Sequence, residues 1–165
     1  MKIFIGPYPE DYTQDRVEEI EIHDYDTWSM DYTLALIILP MLRQLQVSKH
    51  GSPYVDPDDV PIELKPTDTP CDDNYWVDNT HHQRWDYVLN EMIFAFENKV
   101  ADNWEDQFWE GEFDHQWVDA EDGMQEMVEG PNHTARCDWE ARAEYQKRIT
   151  NGFRLFGKYY ENLWD

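Results

Sequence analysis

The chain has 165 residues, a length typical of one domain that buries about 70% of the surface its unfolded form exposes. It carries 36 Asp and Glu against 13 Lys and Arg, a formal net charge of -23. This charge argues against direct binding to nucleic acid or to an anionic membrane, and it favours basic proteins and cations as partners. Aromatic residues make up 15% of the chain, enough to anchor a core and to separate it from acidic disordered chains.

Two short strands are predicted near the N-terminus, within residues 1–25. Lys2 to Ile5 form an apolar run that Gly6 and a proline stop, and Ile20 to His23 alternate apolar with polar side chains. We expect the two strands to pair as a small antiparallel ribbon. The N-terminal run is too short for a signal peptide and residues 34–39 are too few to span a bilayer, so we expect an intracellular protein.

Residues 26–49 hold the only dense aliphatic run of the chain, and we expect the other elements to pack on it. Their apolar spacing predicts a helix. Because the rest of its circumference is also largely apolar, we expect this helix to be buried nearly all round. Pro40 lies inside it and lacks a backbone donor, so we predict a kink just before Pro40. The residues with helical spacing are Leu34, Ile38, Met41, Leu42 and Leu45.

The chain from residue 51 to residue 84 is rich in proline and lacks periodicity, which predicts a long loop. A second helix is predicted from Trp85 to Val100. The acidic tract, residues 102–129, holds 11 Asp and Glu and no Lys or Arg. Its apolar spacing begins helically and then fails, so we predict a short helix followed by turns there.

A third long helix is predicted from about Asp138 to about Leu163. Gly152 and Gly157 permit a neighbouring helix to approach it closely. Its predicted apolar face consists of Trp139, Ala143, Gln146, Ile149, Phe153, Phe156 and Tyr160. Together these elements predict a single domain, residues 1–165, of the mainly α class. Three principal helices are expected around a central, buried and kinked helix, with a small N-terminal β-ribbon and long loops.

Motifs for catalysis and for metal binding are weak. No serine lies in a nucleophile elbow, and no glycine-rich phosphate loop is present. Glu112 and His115 have the i, i+3 spacing of di-iron bundles, but the second copy that such sites need is missing. Residues 119–123 resemble part of a calcium-binding loop. If Gly123 takes the sixth position of that loop, Val118 takes the first position, where Asp is required. We therefore expect neither enzymatic activity nor a metal or cofactor.

Four blocks of sequence carry a resemblance to a known family: DTWSMDYTLALIILPMLRQLQ, KHGSPYVDPDDVP, EGPNHT and RITNGFRLFGKYYENLWD. Through them most of the chain from Asp26 onward resembles an uncharacterised protein family encoded by tailed bacteriophages. No activity is established for that family, and the resemblance carries no catalytic residue across. It implies a phage origin, an accessory role and a location in the cytoplasm of the infected bacterial host.

A charge asymmetry suggests a nucleotide-binding hypothesis. Residues 132–165 carry 6 Lys and Arg against 5 Asp and Glu, a net of +1, which leaves -24 for residues 1–131. Cations along the third helix could hold phosphate groups while a nearby aromatic ring stacks on a base. The predicted ligand-binding residues are Trp28, Lys49, His50, His133, Trp139, Lys147, Asn151, Arg154 and Lys158.

Three functions follow from these patterns. In the leading hypothesis the protein is a non-enzymatic counter-defence protein that sequesters a small nucleotide immune signal of the host, at a subunit interface of a homo-oligomer. In the second, the acidic tract imitates the phosphate array of DNA and occupies a host defence or nucleic-acid-binding protein. The third function is that of a virion structural component. None of the three involves a membrane.

Overall fold

The computed structural model describes residues 1–8, 15–71, 76–120 and 123–164. Within them helices dominate a mixed α and β fold, which confirms the predicted mainly helical class with three principal helices. Helix α1 spans Met30–Ser48, α2 spans His81–Ala101 and α3 spans Trp139–Lys158. A helix with the length and the apolar composition needed to cross a bilayer is absent from the described residues.

Short strands form three antiparallel ribbons in the described residues: β1 (Lys2–Ile5) with β2 (Glu18–Glu21), β3 (Trp109–Glu110) with β6 (Arg136–Cys137), and β4 (His115–Asp119) with β5 (Gln125–Glu129). The β1–β2 pair confirms the predicted N-terminal ribbon. In the acidic tract the predicted short helix is present as a 3-10 helix, but the prediction of turns after it is wrong. After a 3-10 turn at Asp106–Phe108, the tract forms β3 and the β4–β5 hairpin. Alternation around Trp117 lasts only five residues, too few to stand out among so many acids.

Helix α2, and not α1, lies at the centre of the molecule, because α1 and α3 both pack on it. Its Trp85 is fully buried, whereas Leu36 and Met41 of α1 are 49% and 66% exposed. The prediction that α1 is buried nearly all round is therefore wrong. Hydropathy records that a side chain is apolar, and not which neighbour covers it. The buried side chains of α1 are Ala35, Leu39 and Leu42.

The loop between α1 and α2 ends earlier than predicted, because α2 begins at His81. Arg84, in the first turn of α2, donates to both carboxylate oxygens of Asp78, at 2.8 and 2.7 Å. Since Arg84 is only 2% exposed, this bidentate pair fixes the end of the loop against the helix. Helix α1 continues through Pro40, and the kink before it stays a prediction.

Helix α3 packs on α2 through a face that overlaps the predicted one without matching it. Ile149 is buried as predicted, and Phe153 and Phe156 contact Phe96 of α2. Phe153 and Tyr160, both assigned to the apolar face, are 37% and 65% exposed. The buried face lies about one residue earlier along the helix, so the prediction had the helix rotated. Its buried residues are Ile149, Gly152, Leu155 and Tyr159.

Gly152 explains this rotation. A Cβ atom at Gly152 would lie 2.3 Å from the carbonyl oxygen of Glu91 and 2.5 Å from the Cβ of Ala95. The backbone of α2 therefore occupies the place of a side chain, and the predicted close approach at Gly152 is confirmed. At Gly157 a Cβ would meet nothing within 4 Å among the described residues outside its own turn of helix, so the same expectation is wrong there.

Replacing Gly152 with alanine is expected to lower the free energy of unfolding by about 1–3 kcal/mol, because the new methyl group must push α2 and α3 apart. The matched control is Gly157→Ala in the same helix, which is expected to raise that free energy by up to about 1 kcal/mol through helix propensity. Urea unfolding followed by circular dichroism measures both changes. Two variants with the same stability would contradict the close contact.

Candidate functional site

Two of the cations predicted to hold phosphate groups, Arg154 and Lys158, lie against the loop that follows α1. The side chain of Asp59 is 4% exposed and accepts a hydrogen bond from Arg154 at 2.6 Å. Lys158 lies 2.6 Å from the same carboxylate and 2.8 Å from that of Asp56. The hydroxyl of Tyr159 donates to Asp59 at 2.6 Å. Each of these cations is therefore neutralised by a carboxylate of the chain itself.

The charges of this cluster stabilise one another. Burial raises the pKa of the Asp59 carboxyl, but hydrogen bonds from Lys158, Tyr159 and Arg154 outweigh burial and hold that pKa below its usual range. Hydrogen bonds to Asp56 and Asp59 raise the pKa of Lys158. Burial, together with the hydrogen bond to Asp59, raises the pKa of Tyr159 to about 12. The carboxylates and the cations are therefore charged at neutral pH.

The same cluster joins two segments that lie far apart in the chain. KHGSPYVDPDDVP contributes Asp56 and Asp59, and RITNGFRLFGKYYENLWD contributes the residues of α3 that bind them. The backbone N–H of Asp56 donates to the Tyr159 hydroxyl at 2.9 Å, which anchors the loop through its main chain as well. The two blocks thus share a structural task, which is to hold the loop onto α3.

The other predicted ligand-binding residues are spread over the molecule. Lys49 pairs with Asp86 of α2 at 2.8 Å, and Lys147 pairs with Glu144 of its own helix at 2.6 Å. Trp28 precedes α1 and is 92% exposed.

Asn151 belongs to the cluster on α3, because its side-chain oxygen accepts a hydrogen bond from Arg154 at 2.9 Å. His50 is an exposed residue just after α1. The structure thus brings Asn151, Arg154 and Lys158 together. The cavities described next are lined by none of the nine predicted residues in the part of the chain that the structure describes. Their role as ligand contacts stays a prediction.

An apolar groove runs between α1 and α3, over α2. It consists of two adjoining cavities of about 540 and 680 Å³, which share Leu34, Ile38 and Phe156. Phe96 lines the first cavity from α2. Leu34 is 43% exposed and Phe153 is 37% exposed, so the sides of α1 and α3 that face each other are not closed over. The feature of the sequence that indicates this groove is that α1 carries apolar side chains on nearly every side, more than its neighbours bury.

A second surface lies on the acidic tract and the start of α3. Its rings contact one another in order, from Trp139 to Trp109 to Phe113 to His115, with centroid distances of 5.7, 5.0 and 6.0 Å. Trp117 follows on the same face of β4 as His115, because alternate residues of a strand share a face. We refer to these five residues as the aromatic stripe. Aromatic residues interleaved with acids were its signal in the sequence.

The aromatic stripe is open to solvent. Trp117 is 66% exposed, Trp139 62% and Phe113 58%. Contiguous exposed apolar groups of this kind mark interaction sites more often than isolated ones do. On the hairpin, Met127 lies directly opposite Trp117. The stripe is therefore a candidate contact surface on the most acidic part of the chain.

His133 holds the base of this hairpin. Its Nδ1 lies 3.0 Å from the carbonyl oxygen of Asp114, and its ring lies 4.9 Å from that of His115 between centroids. The Asp114 carboxylate accepts the backbone N–H of Asn132 at 2.9 Å. Asn132 and His133 belong to the block EGPNHT, which therefore closes the hairpin. His133 and Trp139 thus lie on the acidic surface, where Trp139 contacts Arg142, and not in the cluster that Arg154 and Lys158 form with Asp59.

The cations of this protein are neutralised within the fold, whereas most carboxylates of the acidic tract are not. Apart from Arg16 and Arg136, every Lys and Arg forms an ion pair with a carboxylate of the described residues. Among the described carboxylates of the acidic tract, only Glu105 pairs with a Lys or Arg, at 2.6 Å from Arg142. Residues 121–122 of the tract lie outside the described residues. Among its described residues the acidic tract thus presents a group of exposed carboxylates without Lys or Arg partners, in addition to exposed acids elsewhere such as Glu18, Glu63 and Asp68.

Comparisons with models of known protein families, with curated protein sequences and with solved structures find no match to this chain. The described residues contain no group of three or more His, Cys, Asp or Glu side chains placed to hold a metal ion. The fold and its surfaces define a small, acidic, mainly helical protein with an apolar groove and an exposed aromatic stripe.

Replacing Asp59 with asparagine is expected to lower the free energy of unfolding by about 2 kcal/mol at neutral pH, because Asn cannot replace all of the charge-assisted hydrogen bonds. The control is its neighbour Asp58, whose side chain is 90% exposed. Asp58→Asn is expected to change that free energy by less than about 0.5 kcal/mol. Chemical unfolding measures both variants.

The pH dependence of the Asp59→Asn effect has a definite sign. The pKa of Asp59 is lower in the folded chain than in the unfolded one, so its contribution is complete above the unfolded value of about 3.9. The contribution is lost as the pH falls through the folded value. The difference between the natural protein and Asp59→Asn should therefore shrink below about pH 4. A constant difference down to about pH 2 would speak against an ionised cluster.

Proposed function

We propose that this protein is a non-enzymatic binding protein that uses its acidic surface to occupy a basic host protein, of the class that binds nucleic acid. The observation that carries the proposal is the charge balance. Most of the cations pair with carboxylates of the chain itself, whereas the described carboxylates of the acidic tract, apart from Glu105, are left without a Lys or Arg partner. Lys and Arg side chains of a partner would relieve their mutual repulsion. The resemblance to a phage family adds a counter-defence role.

The β4–β5 hairpin makes the acidic tract effective as a target for such a partner. Asp119 and Glu129 lie on one face of the hairpin, and Glu126 lies on the other. Because this two-stranded ribbon carries carboxylates on both faces, the negative electrostatic potential is strong in the solvent around the hairpin. Such a field speeds the encounter with a basic surface and weakens with added salt.

The nucleotide-sequestering hypothesis has weaker support. Arg154 and Lys158 contact Asp56 and Asp59, so a phosphate group would have to displace carboxylates that are already in place. That displacement would leave Asp59 buried without its cations, which is costly. Nucleotide sequestration and a virion role stay predictions.

The acidic-surface proposal predicts salt-sensitive retention of a basic partner. Immobilised protein is incubated with bacterial nucleic-acid-binding proteins that have been enriched on heparin. At about 50 mM salt a basic protein is expected to be retained, and about 500 mM salt or an excess of duplex DNA is expected to release it. DNA competes because it offers the same partner surface a denser array of negative charges.

Two triple variants with the same change in net charge locate the contact. Glu112→Gln, Asp119→Asn and Glu126→Gln remove three of the 11 negative charges of the acidic tract. Glu18→Gln, Glu63→Gln and Asp68→Asn remove three negative charges at exposed positions elsewhere. Only the first set is expected to lose the partner. Equal retention by both sets, or retention that survives both salt and DNA, would contradict the proposal. Calorimetric binding of a cyclic or linear nucleotide would favour nucleotide sequestration instead.

A further inference from the structure

The molecule holds its own guanidinium groups between an aromatic face and a carboxylate. Two are held in this way: Arg142 by Trp104, Trp139 and Glu105, and Arg148 by Phe94 and Glu91. The Arg148 guanidinium carbon lies 3.8 Å from the centroid of the Phe94 ring, and its Nη2 lies 2.7 Å from Glu91 Oε1. The ring attracts the cation through its quadrupole and the carboxylate through its charge, and the two act together.

The β4–β5 hairpin presents the same two kinds of group to solvent. Trp117 is 66% exposed and lies opposite Met127. Asp119 is the next residue on that face of β4, and Glu129 lies diagonally across the ribbon, within reach of the same ring. Within residues 76–120 and 123–164, no Lys or Arg stacks on Trp117 or pairs with Asp119.

The surface extends well beyond one side chain. From Trp117 the aromatic stripe continues through His115 and Phe113 towards α3. Residues on one face of a strand recur about every 6.8 Å, which is also the spacing of alternate side chains in an extended partner chain. On β4 this repeat separates His115 from Trp117, so an extended partner segment laid along β4 could place two alternate cations beside these two rings.

We infer that the aromatic stripe and the carboxylates beside it bind an extended Arg-rich segment of the basic partner, with one guanidinium stacked on Trp117. This inference rests on the proposed function and names the part of the partner that this surface contacts. Arg fits better than Lys because its planar group stacks on rings and is less strongly hydrated than an ammonium.

The charge of the surface selects this occupant over the alternatives. Exposed rings can also stack on nucleic acid bases, but Asp119 and Glu129 would repel the phosphates that come with them. A second copy of this chain would bring the same carboxylates to the contact, because a two-fold interface joins identical patches. A cationic segment alone gains from both the rings and the carboxylates.

The test uses a nona-arginine peptide as the probe and the full chain as the receptor, with calorimetric titration at about 50 mM salt. Trp117→Ala is expected to weaken binding about fivefold, through loss of the stacked ring. The matched control is Trp164→Ala, since Trp164 is 60% exposed and lies outside the acidic tract. The control should stay within about 1.5-fold of the natural protein.

A second pair of variants separates local contact from overall charge. Asp119→Asn and Glu126→Gln remove one charge each, on opposite faces of the hairpin. Asp119→Asn is expected to weaken binding about threefold and Glu126→Gln distinctly less, since only Asp119 shares the face of Trp117. Trp117→Phe keeps an aromatic face and is expected to recover most of the affinity that Trp117→Ala loses.

The outcomes separate this inference from the proposed function. Peptide binding that is equal for Trp117→Ala and Trp164→Ala, or equal for the two charge variants, would overturn the inference and leave the acidic surface standing. No peptide binding by the natural protein at low salt would overturn both. If the hairpin unfolds in Trp117→Ala, circular dichroism will show it. The inference is then tested by comparing the peptide affinities of Asp119→Asn and Glu126→Gln.

Discussion

The contact between Gly152 and the backbone of α2 at Glu91 fixes the rest of the arrangement. Only a residue without a side chain lets α3 come so close, and this contact sets the rotation of α3 about its axis. The rotation brings Arg148 onto the buried carboxylate of Glu91 and turns Tyr159 inward towards Asp59. The core, the loop after α1 and the position of the α3 cations all depend on that one approach.

The same rotation decides where charge remains available. Because α3 lies against α2 and the loop, its cations form ion pairs with carboxylates from distant parts of the chain, such as Glu91 and Asp59. The acidic tract lies beyond the N-terminus of α3, and among its described carboxylates only Glu105 pairs with a cation of α3, which is Arg142. The cations of α3 are therefore mostly paired with carboxylates outside the acidic tract, and the acidic tract keeps a strongly negative surface. The proposed function follows from this separation.

Sequence patterns predicted the positions of the helices and strands better than the contacts between them. Helical periodicity located all three helices, and alternation located the N-terminal ribbon. Which side chains of α1 are buried by other elements could not be predicted, because the exposed Leu36 and Met41 are as apolar as the buried Leu39. The role of the α3 cations was missed for a related reason. The spacing of Arg154 and Lys158 shows that they share a face, but their partners in the loop lie about a hundred residues away, and only the fold brings them there.

A zero-length cross-link between a carboxylate and an amine, formed with the retained partner and located by mass spectrometry, tests the central claim most directly. Such a bond forms only where the two groups are in contact. Cross-links from carboxylates of the acidic tract, such as Glu112 and Glu126, to lysines that flank the Arg-rich segment of a basic protein are expected. Cross-links confined to acids outside the tract, such as Glu18 and Glu63, would contradict the acidic tract as the binding surface.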